Sequence, residues 1–143
     1  MFLKQLSVFV ENQSGRLADI AKIIGGEGID IRAISVADTT DFGIVRLIVD
    51  RPDDAYRVLK ENDVTVKLTD VLAVGIDDKP GAFADVLQVL CLAGMDVEYM
   101  YAFISRDDGK AMVILRVDDE DKARQVLSDG GIENIPADKI YNM

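Results

Sequence analysis

The sequence predicts an α+β protein in which two βαββαβ units follow each other along the chain, each with an antiparallel sheet and both helices on one face. The first observation is internal repetition. A shift of 66 residues pairs Leu6 with Leu72 and Gly15 with Gly81, and after the turns near residues 40 and 107 the shift becomes 68. The second observation is that each half changes from strand-like alternation to helical spacing and back in the same order. We therefore place the two domains at residues 1–69 and 70–143.

The elements of the first half follow from local patterns. Alternating apolar residues predict the first strand, and apolar residues at helical spacing, closed by Gly25-Gly26, predict the first helix. A run rich in β-branched residues predicts the second strand, and the turn at 41–43 leads into the third. Pro52 favours the start of the second helix. The predicted strands are 3–10, 29–37, 44–49 and 64–68, and the predicted helices are 15–24 and 52–59.

The second half repeats this order, with Asp107-Asp108-Gly109 as its hairpin turn. Cys91 lies on the predicted apolar helix 81–93, so we expect it to be buried. The acidic run 118–121 is predicted to begin a helix, where negative charge is favourable. Pro136 indicates that the last strand is short or lies at an edge.

Both faces of each predicted sheet carry apolar residues. In the first half Ile34 and Val36 alternate with Ile31 and Ala33, while in the second Val97, Tyr99, Tyr101 and Phe103 share one parity. A sheet with helices on one side and water on the other would show polar residues on its open face. We therefore expect the second face to be covered by the other half or by another chain.

Composition excludes several functions. The net charge of −10, with no basic cluster, argues against binding to nucleic acid or to an anionic membrane. The chain has no histidine and a single cysteine, so neither a zinc site nor an internal disulfide is expected. Histidine is the commonest acid–base catalyst near neutral pH, so its absence also argues against catalysis of this kind. No segment approaches the roughly 20 apolar residues that span a bilayer. We expect a cytoplasmic protein with no metal and no cofactor.

The repeated segments resemble a known family. LSVFVENQSGRLADIAKIIGGEGIDI is similar to the opening of ACT domains, such as that of the acetolactate synthase regulatory subunit, and LAVGIDDKPGAFADVLQVLCLAGMDVEYMYAF carries the Asp-x-Pro-Gly form of the same corner. DFGIVRLIVD together with DVEYMYAF resembles small stand-alone tandem ACT proteins that bind amino acids. The resemblance covers nearly the whole chain and implies two ferredoxin-like domains.

The resemblance also implies a ligand site. In the family, amino acids such as valine or serine lie between two ACT units, against the first strand-to-helix corner and the start of the second strand. Family members that bind amino acids often have asparagine where this chain has Asp30 and Asp96. The matching positions are Asn12, Gln13, Ser14, Gly15, Arg16, Leu17, Ile29, Asp30 and Ile31 in the first copy, and Asp78, Lys79, Pro80, Gly81, Ala82, Phe83, Met95, Asp96 and Val97 in the second.

Physical chemistry gives these positions a role. The first N–H groups of a helix lack intrahelical partners and attract a carboxylate, and a glycine lets a ligand approach the backbone. Asn12 offers both an acceptor and a donor, and Asp30 offers an acceptor for an ammonium group. The alternative is structural: Asn12, Ser14 or Asp78 caps the helix, and the aspartates bond neighbouring backbone. Of the two copies, the first is closer to the family's ligand-binding form.

Three functions remain open at this point. The first is a non-catalytic sensor of a free amino acid at an interface between ACT domains, and the second is a regulatory subunit acting on a metabolic enzyme or transporter. The third is a small enzyme using Asp30 and Asp96, for which the sequence offers no base or nucleophile. We also expect a homodimer, since each unit alone has a small core.

Overall fold

The structure is a computed structural model that describes residues 2–11, 15–38, 42–103 and 110–143. Its elements follow in the predicted order with two differences: the fourth predicted strand continues without a break into the first strand of the second half, and there is one additional short helix near the C-terminus. The strands are β1 (Leu3–Glu11), β2 (Ile31–Asp38), β3 (Phe42–Val49), β4 (Thr65–Asp77), β5 (Val97–Ala102), β6 (Lys110–Val117) and β7 (Glu133–Asn134). The helices are α1 (Arg16–Gly26), α2 (Pro52–Glu61), α3 (Ala82–Leu92), α4 (Glu120–Asp129) and α5 (Ala137–Tyr141).

The chain divides into two compact units. The N-terminal unit consists of Lys4–Thr69 with Ile140–Met143, and the C-terminal unit consists of Asp70–Lys139 with Phe2 and Leu3. They differ from the predicted domains 1–69 and 70–143 at the two chain ends. Each end of the chain therefore completes the unit formed mainly by the opposite half of the sequence.

The N-terminal unit has the strand order β2-β3-β1-β4. β3 is antiparallel to both β1 and β2. One face of this sheet packs against α1 and α2, which contribute Ile20, Ile24, Ala55, Val58 and Leu59 to the core. The helices lie on this face because their apolar residues recur every three to four positions and have no other surface to cover.

The C-terminal unit repeats this arrangement with the order β7-β4-β6-β5. β6 is antiparallel to β4 and β5. Its core joins the sheet to α3 and α4 through Val86, Leu90, Ala123 and Leu127, and Phe2 packs against it. The predicted α+β fold, two βαββαβ units with helices on one sheet face, is therefore confirmed.

A β-bulge occupies the same position in β2 and β5. Register shifts between Ile31 and Ala33 and between Val97 and Tyr99, so Arg32 and Glu98 are the extra residues. Because of the extra residue, the strand residues before the bulge point to the opposite sheet face from the one that simple alternation predicts. The predicted parity was wrong for this reason: Ile31 shares a face with Ile34 and Val36, and Val97 shares a face with Met100.

The second sheet faces are largely buried, as expected from their apolar residues. In the N-terminal unit Ala33 and Ile48 are buried, and so is Gln5, whose Nε2 donates to the Ser7 hydroxyl at 3.0 Å. In the C-terminal unit the buried residues of this face include Ala73 and Ile114. Phe9 is an exception because it stays 39% exposed.

Other local predictions met mixed outcomes. Pro136 follows the two-residue strand β7, in agreement with a short last strand. Asp119 caps α4 by accepting a hydrogen bond from the Lys122 N–H at 3.1 Å. Cys91 is exposed, so its predicted burial was wrong. The turn residues Asp41 and Asp107-Asp108-Gly109 lie outside the described residues. None of the helices described is both long enough and apolar enough to cross a bilayer.

Candidate ligand-binding site

The two strand-to-helix corners have the same backbone conformation. Gly15 precedes α1 with φ of 87°, and Gly81 precedes α3 with φ of 89°. Residues with a side chain rarely adopt such positive φ angles, so this conformation alone accounts for glycine. Within the described part of the chain, a Cβ added at either position would meet no atom within 4 Å. The corners are therefore open to solvent, as a ligand site requires.

Only part of the first corner is described, because Asn12, Gln13 and Ser14 lie outside the described residues. Arg16 and Leu17 begin α1. The Arg16 Nε atom is buried and has no hydrogen-bond partner among the described residues. Leu17 is 42% exposed, so an apolar surface lies beside the corner.

The second corner is described in full. Asp78, Lys79 and Pro80 are exposed and precede the helix, so Pro80 lies before α3 and not in its first turn. The Ala82 N–H donates to the Lys79 carbonyl at 3.3 Å. The N–H groups of Phe83 and Ala84 have no acceptor among the described residues. Two donors at the positive end of the α3 dipole are thus available to an anion.

A cleft of about 190 Å³ lies beside this second corner. It contains two surface ion pairs, Lys79 with Asp77 at 3.9 Å and Lys110 with Glu133 at 3.4 Å. Exposed pairs of this kind contribute little stability, so their charges can exchange partners at low cost. The full lining is Gly75, Ile76, Asp77, Lys79, Ala82, Asp85, Lys110, Gly131, Ile132 and Glu133.

The first of the two predicted aspartates already has a partner. Asp30 Oδ2 lies 2.6 Å from Arg32 Nη1, and the Asp30 side chain is 67% exposed. The Asp30 N–H donates to Asp50 Oδ1 at 2.9 Å. A ligand ammonium group would therefore share Asp30 with a guanidinium group. The neighbouring Ile29 is buried and Ile31 half-buried.

The second aspartate is different. Asp96 is exposed, and its side chain has no hydrogen bond or ion pair within the described parts of the chain. Met95 before it is buried and Val97 after it is half-buried. The residue equivalent to Arg32 is Glu98, which turns to Arg116 at 3.6 Å. The two copies are thus unequal, and Asp96 is the carboxylate that remains available.

The corner and the aspartate of one unit lie at opposite ends of its sheet. Asp77, just before the second corner, pairs with Lys110, whereas Val97, just after Asp96, pairs with Val117. Seven residues of β6 separate these two points, which corresponds to about 23 Å. The structure therefore does not bring the two halves of the predicted site together within a single unit. The same holds for Gly15 and Asp30.

A comparison with protein families gives one match over the whole chain. The model described as "ACT domain pair" matches residues 1–143. The chain belongs to this family. ACT domain pairs are typically regulatory domains that bind small molecules, and the family is not a catalytic one. A search of curated proteins gave no match to this ACT domain pair.

Solved structures support the same fold. The crystal structure of protein BT0572 from Bacteroides thetaiotaomicron has 38% sequence identity and a TM-score of 0.92, covering 100% of this ACT domain pair and 98% of that chain. The ligand-free regulatory subunit of aspartate kinase from Thermus thermophilus has 16% identity and a TM-score of 0.64, covering 89% and 91%. The corresponding subunit from Thermus flavus has 15% identity and a TM-score of 0.62, covering 90% and 92%. At these low identities the two kinase subunits share the fold alone.

Sequence reasoning missed the charged groups that surround the aspartates in this ACT domain pair. The Arg32 partner of Asp30 could have been found from the Asp-x-Arg spacing, but the bulge that positions it leaves no signal in the sequence. Arg116 and Glu120 form a second unpredicted pair at 2.7 Å, and Arg116 also donates to the Asp70 carbonyl. Burial raises the pKa of the Glu120 carboxyl, although the Arg116 guanidinium opposes this shift.

Proposed function

We propose that this ACT domain pair is a non-catalytic, cytoplasmic sensor that binds a free amino acid between ACT units of a homodimer. The observation that carries the proposal is the second corner, where Gly81 leaves the backbone accessible and the Phe83 and Ala84 N–H groups have no acceptor in the described ranges of the chain. The family's regulatory character supports it. The net charge of −10 supports a small zwitterion over a polyanion as the ligand.

Each end of a zwitterion has a matching group. The free N–H groups at the corner would bind the carboxylate, because they are preorganised donors at the positive end of a helix dipole. Asp96 would accept the ammonium group in a charge-assisted hydrogen bond. Phe83, which is 46% exposed beside the corner, would contact the amino-acid side chain. In the first copy Asn12 to Leu17 and Asp30 would play the same parts, with Arg32 competing for the ammonium position.

The site needs two units, since about 23 Å separates the corner from the aspartate within one. A corner of one unit and an aspartate of another would have to meet, either within one chain or across the homodimer. Ligand binding would then favour the arrangement of units in which the two groups are close, because a ligand shifts an equilibrium by its differential affinity for the two states. This would convert amino-acid concentration into a change of shape.

A thermal-shift screen of the twenty amino acids at millimolar concentration tests the proposal. A ligand at 100 times its dissociation constant stabilises the folded state by about 2.7 kcal/mol, which corresponds to a rise of several degrees for a chain of this length. Asp96→Ala and Asp30→Ala would identify the copy that binds, with the greater loss expected for Asp96→Ala, because alanine leaves no acceptor for the ammonium group. Asp53→Ala, at an exposed position in the first turn of α2, is the matched control and should respond like the wild type. If no amino acid moves the melting temperature, the sensor proposal fails.

A further inference from the structure

One face of α3 is apolar and exposed to solvent. Leu92 is 79% exposed, Phe83 46% and Leu87 40%. These side chains lie in two neighbouring rows of the helix surface, spaced four residues apart, that carry no charge. The rows, which we call the α3 face, are Phe83, Leu87 and Cys91, and Ala84, Gln88 and Leu92, all of them exposed. A helix that is apolar around most of its circumference is normally covered on every side.

The repeat provides an internal comparison for this face. The equivalent helix α1 has one large apolar residue, Leu17, at the same six exposed positions, and the other five are small or charged: Ala21, Gly25, Ala18, Lys22 and Gly26. The two helices bury matching residues against their sheets, with Ile20 and Ile24 in α1 corresponding to Val86 and Leu90 in α3. The inward positions are thus alike, and the outward positions differ. The apolar character of the α3 face is not required by the fold.

The order of side-chain sizes along the α3 face fits a second copy of the same face. In the first row the large Phe83 lies at one end and the small Cys91 at the other, and in the second row the small Ala84 and the large Leu92 lie in the opposite order. If two α3 helices cross antiparallel about a two-fold axis near Leu87, each large residue meets a small one of the partner. Rows spaced four residues apart interdigitate in the commonest type of helix packing.

We propose that two copies of this chain dimerise through the α3 face, with the helices antiparallel and Leu87 at the two-fold axis. A self-complementary patch of this kind is what a two-fold interface requires. Each chain carries a net charge of −10, so two copies repel each other over most of their surfaces. Contact through six residues without charge adds no further like-charge repulsion at the interface. The same negative charge disfavours an anionic lipid surface as the occupant.

The α3 face would form the centre of the interface. Stable dimers bury about 800 Å² per partner. One face of an eleven-residue helix, which is about 16 Å long, is too small to supply this area alone. Residues around α3 would therefore supply the polar rim of the interface, and the apolar residues of the α3 face would supply most of the affinity. This inference rests on the homodimer of the proposed function but needs no ligand.

Sedimentation equilibrium with Leu87→Asp tests the surface. The wild type should have twice the chain mass of 15.7 kDa, and the variant should dissociate with a dimer affinity weaker by on the order of 100-fold. Ala21→Asp places the same charge at the equivalent exposed position of α1 and should leave the dimer intact. A monomeric wild type, or equal weakening by both substitutions, would overturn the inference.

Disulfide trapping tests the orientation. Residues 83 and 91 of one helix are about 12 Å apart, too far for a disulfide within one chain. Phe83→Cys should therefore give a covalent dimer on mild oxidation, through the Cys91 thiol of the second copy, and Cys91→Ser added to it should abolish this product. Leu17→Cys, the α1 equivalent, should give none. Efficient crosslinking of the wild type through Cys91 alone would show parallel helices and refute the antiparallel arrangement.

The amino-acid thermal-shift screen, run on the same preparations, separates this inference from the proposed function. A dimer that loses its assembly with Leu87→Asp but responds to no amino acid would support the α3 interface and overturn the sensor. A monomeric wild type that responds to an amino acid would overturn the interface and leave ligand binding standing.

Discussion

The substitution Gly81→Ala tests whether the backbone conformation of the second corner is the reason for glycine there, through the change in the free energy of unfolding. An added Cβ would meet no atom within 4 Å, so steric overlap contributes nothing to the change in stability. At φ of 89° an alanine is strained by about 1–2 kcal/mol, which the reduced freedom of the unfolded chain offsets by about 0.4–1 kcal/mol. We expect a net loss of about 1 kcal/mol in the free energy of unfolding, measured by urea denaturation.

Gly25→Ala is the matched control for this measurement. Gly25 lies inside α1, has no positive φ, and also has open space around its Cβ position. Alanine should therefore stabilise the protein there by about 0.5–1 kcal/mol, a change of opposite sign. If Gly81→Ala left the unfolding free energy unchanged but removed the response to amino acids, the conformational explanation would be wrong. The glycine would then serve ligand approach alone.

Three further substitutions test other contacts. Gly130→Ala places a Cβ 2.8 Å from Val89 Cγ1, so it should destabilise the protein by about 1–3 kcal/mol in urea denaturation, and Val89→Ala in the same chain should recover part of this loss. Asp119→Ala removes the cap of α4 and should cost about 0.5–2 kcal/mol by the same assay, whereas no change would show that the cap is redundant. Glu120 has a raised pKa in the folded protein, so its contribution to stability is present below the unfolded value near 4.5 and is lost as pH rises through the folded value. Urea denaturation across this window should show the free energy of unfolding of Glu120→Gln increasing relative to that of the wild type as pH rises. A difference between the two proteins that stays constant, or that shifts in favour of the wild type, would contradict the raised pKa of this carboxyl.

The order of the elements was predictable because the same pattern of turn residues and apolar residues occurs in both halves of the sequence. A turn residue or apolar pattern that is ambiguous once becomes informative when it recurs at the same spacing, as Gly15 and Gly81 do. The bulges at Arg32 and Glu98 were not predictable, because alternation of side chains assumes an unbroken register. The sequence also leaves the length of β4 open, since Thr69 and Asp70 look like a connection but lie within one strand of 13 residues.

The sequence predicted the backbone conformation of the candidate site, but it did not predict which charged side chains pair with each other there. Glycine at a strand-to-helix corner fixes the conformation locally, and the structure has it in both copies. Whether an aspartate is free depends on long side chains whose direction the sequence does not specify, which is why the pairing of Asp30 with Arg32 was missed. The burial of Cys91 was predicted wrongly for a related reason. Helical spacing shows that a face is apolar but not that anything lies against it.

The exchange of the two chain ends means that neither half of the sequence contains a complete unit. Phe2 lies under the Arg124 guanidinium at 4.2 Å, and the Tyr141 hydroxyl accepts a hydrogen bond from the Lys4 N–H at 2.9 Å. A few residues at each end of the chain therefore belong to the unit that is formed mainly by the other half of the sequence. Cutting the chain between Thr69 and Asp70 would divide β4, separate Phe2 from the C-terminal unit and separate Ile140–Met143 from the N-terminal unit, so neither fragment would contain every residue of its unit.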